Sequence, residues 1–177
     1  LHRITAEECE VLAERTYRAG ALKQRAKESG KAIVALELLD SVRLSRKGAV
    51  VAAGPVYGCN TSFLAGLAER GLHYVVEVRP STRLLPSERP VEGGLRAAAG
   101  ELLAHPRWKA FELLVPGAAA PIEYCAAPLA DVLLPGGRAG RLFAAQTGGI
   151  PGIHRGTILG LASDSSADLP DLLRVIG

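Results

Sequence analysis

Just after an apolar run, the stretch GPVYGCN sets a phenol, a thiol and an amide close together: Tyr57, Cys59 and Asn60. Groups of these types orient a ligand or cap a helix. They do not make a nucleophile here, because Cys59 has neither a base nor a cation beside it in sequence to raise its thiolate fraction. Glu77 and Arg79 follow a second apolar run, and His154-Arg155 stand in the glycine-rich stretch GGIPGIHRGT, whose backbone can approach an anion. Tyr57, Cys59, Asn60, Glu77, Arg79, His154 and Arg155 are therefore the candidate ligand-binding groups. Each has an ordinary alternative: turn and cap duties for the first three, a solvated strand face for Glu77 and Arg79, a surface loop for the last two. Metal-ligand spacing is absent, since Cys9, Cys59 and Cys125 stand far apart without a CxxC pair. Gly30-Lys31 is no P-loop, because Ala32 replaces the hydroxyl residue. The expectation is no metal and no cofactor.

The elements that would position the first group are legible around it. Val50 to Ala53 is short, β-branched and closed by Gly54-Pro55, which reads as a buried strand. Asn60 or Thr61 can cap a following helix, Phe63, Leu64 and Leu67 give it an apolar stripe, and Gly71 suits its C-terminus. His73 to Val78 is a second strand. Strand, helix, strand is a crossover between parallel neighbours, which places a site at the carboxyl end of the first strand, between Gly54 and Asn60.

The same run, VVAAGPVYGCNTSFLAGLAERGLHYVVEVRPST, resembles the middle of bacterial insertion-sequence transposases of the DDE class, which read roughly V-V-A-D-x-x-Y-G-D-N-x-x-F-R-x-x-L-x-x-R-G-x-x-Y-V-x-x-V. Tyr57-Gly58, Asn60, Phe63, Leu67, Arg70-Gly71, Tyr74-Val75 and Val78 fall in register without a gap. SGKAIVALELLDSVR is similar to the family segment just upstream, and LPDLLRVIG to one just before the third acid. The resemblance implies an α/β fold: an RNase H-like core over residues 1–108, truncated to its βαβ unit, a β-rich antiparallel insertion over 109–163 and a helix over 164–177 returning to the core. It also implies a departure. The family's second catalytic aspartate falls at Gly54, the stretch from Arg43 to Ala68 holds no Asp or Glu, and the span covered lies between the two outer acids. Two-metal phosphoryl transfer needs carboxylates to hold the ions, so nuclease activity is not expected.

Composition agrees with a folded domain. The chain has 177 residues, 48% of them hydrophobic and 22% charged, enough for a core and too apolar for disorder. A net charge of +3, with Arg and Lys scattered among acids, gives no basic block. The family's G-x-K-G-P-R-x-Y-D-W is matched here by GAAAPIEYCA, with Ala119 and Ile122 at its cation positions, and Ala144-Ala145 stands where an R-R pair is usual. DNA binding is thus not expected. Absence of an apolar run of membrane-spanning length and of a signal-like start reads as a cytoplasmic protein.

Elsewhere the pattern predicts helices over Thr5–Arg18 and Lys31–Leu44, a loop over Pro80–Pro90 and an interrupted helix over Val91–Ala104. Short strands are expected at Lys109–Val115, Ile122–Ala126, Val132–Leu134, Arg141–Gln146 and Thr157–Leu161, with a last helix over Asp168–Ile176. The resemblance, with its acid missing, implies a transposase-derived subunit of a heteromeric enzyme in actinobacterial specialised metabolism. Such a subunit would have a second protein as partner, a small molecule as substrate and a ring-forming or elimination step to assist. The alternative is a degenerate DNA-binding regulator or an inactive transposase remnant.

Overall fold

A computed structural model describes residues 2–4, 9–11, 30–42, 49–87, 97–99, 107–114, 119–148 and 157–176. Its elements in chain order are β1 (His2–Ile4), β2 (Cys9–Val11), α1 (Gly30–Ser41), β3 (Val50–Ala53), the single turn α2 (Pro55–Gly58), α3 (Thr61–Glu69), β4 (His73–Val78), β5 (Arg83–Pro86) and β6 (Ala97–Ala98), then β7 (Lys109–Leu113), β8 (Ile122–Leu133), β9 (Ala139–Thr147), β10 (Ile158–Ala162) and α4 (Leu169–Ile176). β1 and β2 form an antiparallel pair of their own, and the other strands form one mixed sheet in the order β3-β4-β10-β9-β8-β5-β6, with β7 also on β8. The architecture is mixed α/β.

β3 and β4 pair in parallel, Val50 opposite His73 and Ala53 opposite Val76, as the crossover requires. The second edge of β4 is taken by β10, antiparallel, with Leu161 opposite Val76. A Ser163 clasp extends that seam by one step: the Tyr74 N–H donates to Ser163 Oγ at 2.9 Å and the Ser163 N–H to Tyr74 O at 2.9 Å.

Alternation along the strands divides the core between the two sheet faces. Tyr74, Val76, Val78, Leu142, Ala144, Leu159 and Leu161 meet Phe63, Leu64 and Leu67 of α3 and Ala32 and Leu39 of α1. Val75, Phe143, Ala145 and Ala162 turn to the opposite face, where Leu169, Leu172 and Leu173 of α4 cover them. α1 lies across α3, with Leu36 in the notch that Gly66 leaves. Arg70 ties the two helices by a fork on Asp40, Nε to Oδ1 at 2.7 Å and Nη2 to Oδ2 at 2.6 Å, which raises the guanidinium's already high pKa. Among the described residues no buried side-chain polar atom lacks a partner.

α3 is capped as its sequence predicts. Asn60 Oδ1 accepts from the Phe63 N–H at 3.0 Å. At the other end Gly71 has φ +66°, the Gly71 N–H donates to Ala68 O and the Leu72 N–H to Leu67 O, each at 3.0 Å. This is a Schellman ending, with Leu67 and Leu72 both buried. Gly71→Ala puts a Cβ in the left-handed region, and a loss of roughly 1 kcal/mol is expected in urea denaturation.

Tyr74 is buried, and burial pushes its phenol up to about 12, with Arg138 opposing weakly. The unfolded phenol titrates near 10, so the native state holds its proton longer, and stability present below pH 10 is lost as pH rises toward 12. Urea midpoints of Tyr74→Phe should accordingly fall less steeply than those of the wild type over that window. Phenolate absorbance should show a late-titrating group that the variant lacks.

Several expectations are corrected. Residues Cys9–Val11 are a strand paired with His2–Ile4, not part of a helix over 5–18, because cross-strand pairing overrides a short segment's own periodicity. The rest of that segment lies outside the described residues. Residues Arg83–Pro86 are a strand on β8 within the expected loop, Leu85 and Pro86 opposite Leu133 and Val132, with Pro86 at the strand's end, where a missing N–H is tolerated. Ala97–Ala98 pair with β5 in place of the expected helix. Two expected strands are the two ends of β8, which passes Pro128 through a register shift between Pro128 and Ala130. On the outer edge of β8, Pro128 falls between the partners of β7 and those of β5. A prolyl bulge there disturbs the ladder least.

Candidate functional site

The carboxyl end of β3 turns sharply at Gly54. Pro55 opens the one-turn α2, and the N–H groups of Tyr57 and Gly58 both return to Gly54 O, at 3.0 and 3.1 Å. Gly58 then passes directly over β4: a Cβ on it would fall within bonding range of the Glu77 carbonyl oxygen. This close approach lets the chain reverse into α3 on top of the sheet. The Asn60 N–H donates to Tyr57 O at 2.9 Å, and the Tyr57 ring tilts against Phe63 with centroids 5.1 Å apart.

At the end of β4 a second turn meets the first. Thr82 Oγ1 lies 3.2 Å from Cys59 Sγ and accepts from the Arg79 N–H at 3.1 Å. That N–H also points at Cys59 Sγ, at 3.4 Å, and the Thr82 N–H closes the turn on Arg79 O at 2.9 Å. Cys59 is thus a fastener between the two strand ends. Beside it opens a shallow pocket of about 400 Å³ lined by Pro55, Val56, Cys59, Asn60, Thr61 and Arg79.

Of the residues singled out in the sequence, Cys59, Asn60 and Arg79 converge on this pocket. Tyr57 is not in the lining and packs on Phe63 and the core. Glu77 is not in the lining; it has the strand parity of Val75, which faces α4. His154 and Arg155 lie outside the described residues. Thr61 and Thr82 were not singled out. Thr61 carried a signal as the alternative cap, whereas nothing in the sequence ties Thr82 to Cys59. Among the described residues no group of three or more His, Cys, Asp or Glu converges to hold a metal ion, and no helix is long and apolar enough to cross a membrane.

The fold is that of an α/β domain, with this candidate site at the carboxyl end of a parallel strand pair. Residues 3–111 match the family described as DDE superfamily endonuclease, which is more than half of the chain. The chain belongs to that family. No curated protein matches it.

Proposed function

We propose that this chain is a DDE-superfamily domain that performs no metal-dependent strand cleavage and serves as a subunit of a heteromeric complex. One observation carries the reading. Gly54, where the resemblance puts the family's middle aspartate, stands at the carboxyl end of β3, and the pocket beside it has a thiol, an amide, a hydroxyl and a guanidinium but no carboxylate. Ions that activate an attacking oxygen need anionic ligands, and this lining offers none. In this reading β3, α3 and β4 are the remnant of an RNase H-like core, and residues 109–163 are its insertion.

The subunit role draws support from the edge of the sheet. Among the described residues β3 pairs only with β4, Val50 on it is 44% exposed and Ile33 on α1 is 48% exposed. An unpaired strand edge is a template on which another chain can pair, and a partner docked there would also cover Val50. The finer assignment is to an enzyme of actinobacterial specialised metabolism, this chain shaping the site of a ring-forming or elimination step while its partner supplies the reacting groups.

Two measurements test the proposal. Purified protein with magnesium or manganese should leave supercoiled plasmid intact, and nicking that follows the protein through chromatography would defeat it. Co-expression with the products of adjacent genes should yield a stable complex. A monodisperse monomer that captures no neighbour would remove the subunit role, and a gel shift with steep salt dependence would favour a DNA-binding regulator instead.

A further inference from the structure

The pocket beside Cys59 has a polar lining of one sign. Its polar groups are the Cys59 thiol, the Asn60 amide, the Thr61 hydroxyl and the Arg79 guanidinium. No Asp or Glu between Arg43 and Ala68 offsets the cation, and Glu77 has the parity of the opposite sheet face. Two of the four groups are engaged: Asn60 Oδ1 holds the Phe63 N–H, and Cys59 Sγ is fastened to Thr82 and the Arg79 N–H. Thr61 and Arg79 are exposed, and the Arg79 guanidinium has no partner among the described residues. Pro55 and Val56, the latter 53% exposed, form an apolar flank. The pocket's volume of about 400 Å³ lies within the roughly 300–1,000 Å³ of small-molecule sites. Its place, beyond the carboxyl ends of parallel strands, is where α/β sheets take ligands.

We propose that this pocket binds a small organic oxyanion, a phosphate or a carboxylate, directly and without a metal ion. The planar guanidinium of Arg79 grips two oxygens of the anion, the Thr61 hydroxyl donates to it, and the organic part lies on Pro55 and Val56. The inference rests on the reading of the site as one that performs no metal-dependent cleavage, and no bond is made or broken in it.

The test is an amide NMR titration of the whole chain with three probes: inorganic phosphate, succinate and a short oligothymidylate. Phosphate or succinate should shift the amides of Cys59, Asn60, Thr61 and Arg79 saturably, with half-saturation near about 1 mM. Arg79→Gln should weaken this at least about tenfold, because the fork is lost. The fold uses only the backbone of Arg79 there, so the variant should remain native. Lys109→Gln removes the same charge from β7, away from the pocket, and should leave the titration unchanged. Undiminished binding in Arg79→Gln, equal weakening in Lys109→Gln or no saturable shift by about 10 mM would overturn the proposal. A response to the oligonucleotide without one to phosphate or succinate would also overturn it, in favour of nucleic acid. Metal-dependent nicking would defeat the parent reading whatever the anions do, while a silent pocket in a protein that does not nick would defeat this inference alone.

Discussion

Phe143→Ala is expected to destabilise the protein by about 3–5 kcal/mol, the range for removing a large aromatic side chain from a closed core. Phe143 is fully buried at the centre of β9, on the face that α4 covers. Its ring lies across β10 at Gly160, so closely that a Cβ at Gly160 would overlap the ring carbons. The nearest strand neighbours on that face are small, Ala145, Ala162 and Gly160, so filling the vacated space falls to Leu169, Leu172 and Leu173 of α4 and to Tyr124 and Leu113. How far those side chains relax sets where in the range the cost falls. Urea unfolding should show a lower midpoint with an unchanged slope, and Phe143→Leu should recover part of the loss. A loss below about 1 kcal/mol would mean that α4 does not close over the ring as described.

Gly58→Ala should cost about 3 kcal/mol or more, although it adds a single methyl group. The atom a Cβ would strike is the Glu77 carbonyl oxygen, part of β4 and not the movable end of a side chain. Relief requires α2 to lift from β4. That would pull Cys59 from Thr82 and Asn60 from the helix it caps. The substitution should thus change two readouts together: a lower urea midpoint, and faster reaction of Cys59 with a thiol reagent in the native state. Gly71→Ala, which strains a backbone angle but meets nothing within 4 Å, is the internal comparison and should affect only the first.

Legibility in the sequence followed the range of the interaction. The unit from Val50 to Val78 was readable to its strand boundaries because every cue in it is local: β-branched runs, an Asn cap, a left-handed glycine. The strands beyond residue 109 were readable as strands but not in their partners. Nothing in Ile158–Ala162 says that it pairs with β4, since register across that distance is set by the packing of both faces at once. The strands expected at Ile122–Ala126 and Val132–Leu134 are one strand, because Pro128 between them sits at a register shift inside it. The same limit governs the site. Cys59 and Asn60 were placed by the rule for parallel strand ends and Arg79 by its position after the second strand, whereas the fastening of Cys59 by Thr82 depends on two turns meeting in space.

The seam between β4 and β10 joins the part of the chain that the family match covers to a part beyond it. The match to the DDE family model spans residues 3–111, yet the strand that seals the second edge of β4, and sets Leu159 and Leu161 beside Val76 and Val78, begins at residue 158. A polypeptide cut to the recognisable portion would keep the parallel pair and leave it naked on that flank. The span that the match covers and the span that the sheet needs therefore have different borders, and residues 158–162 are a condition for the β3–β4 pair to stand in this sheet.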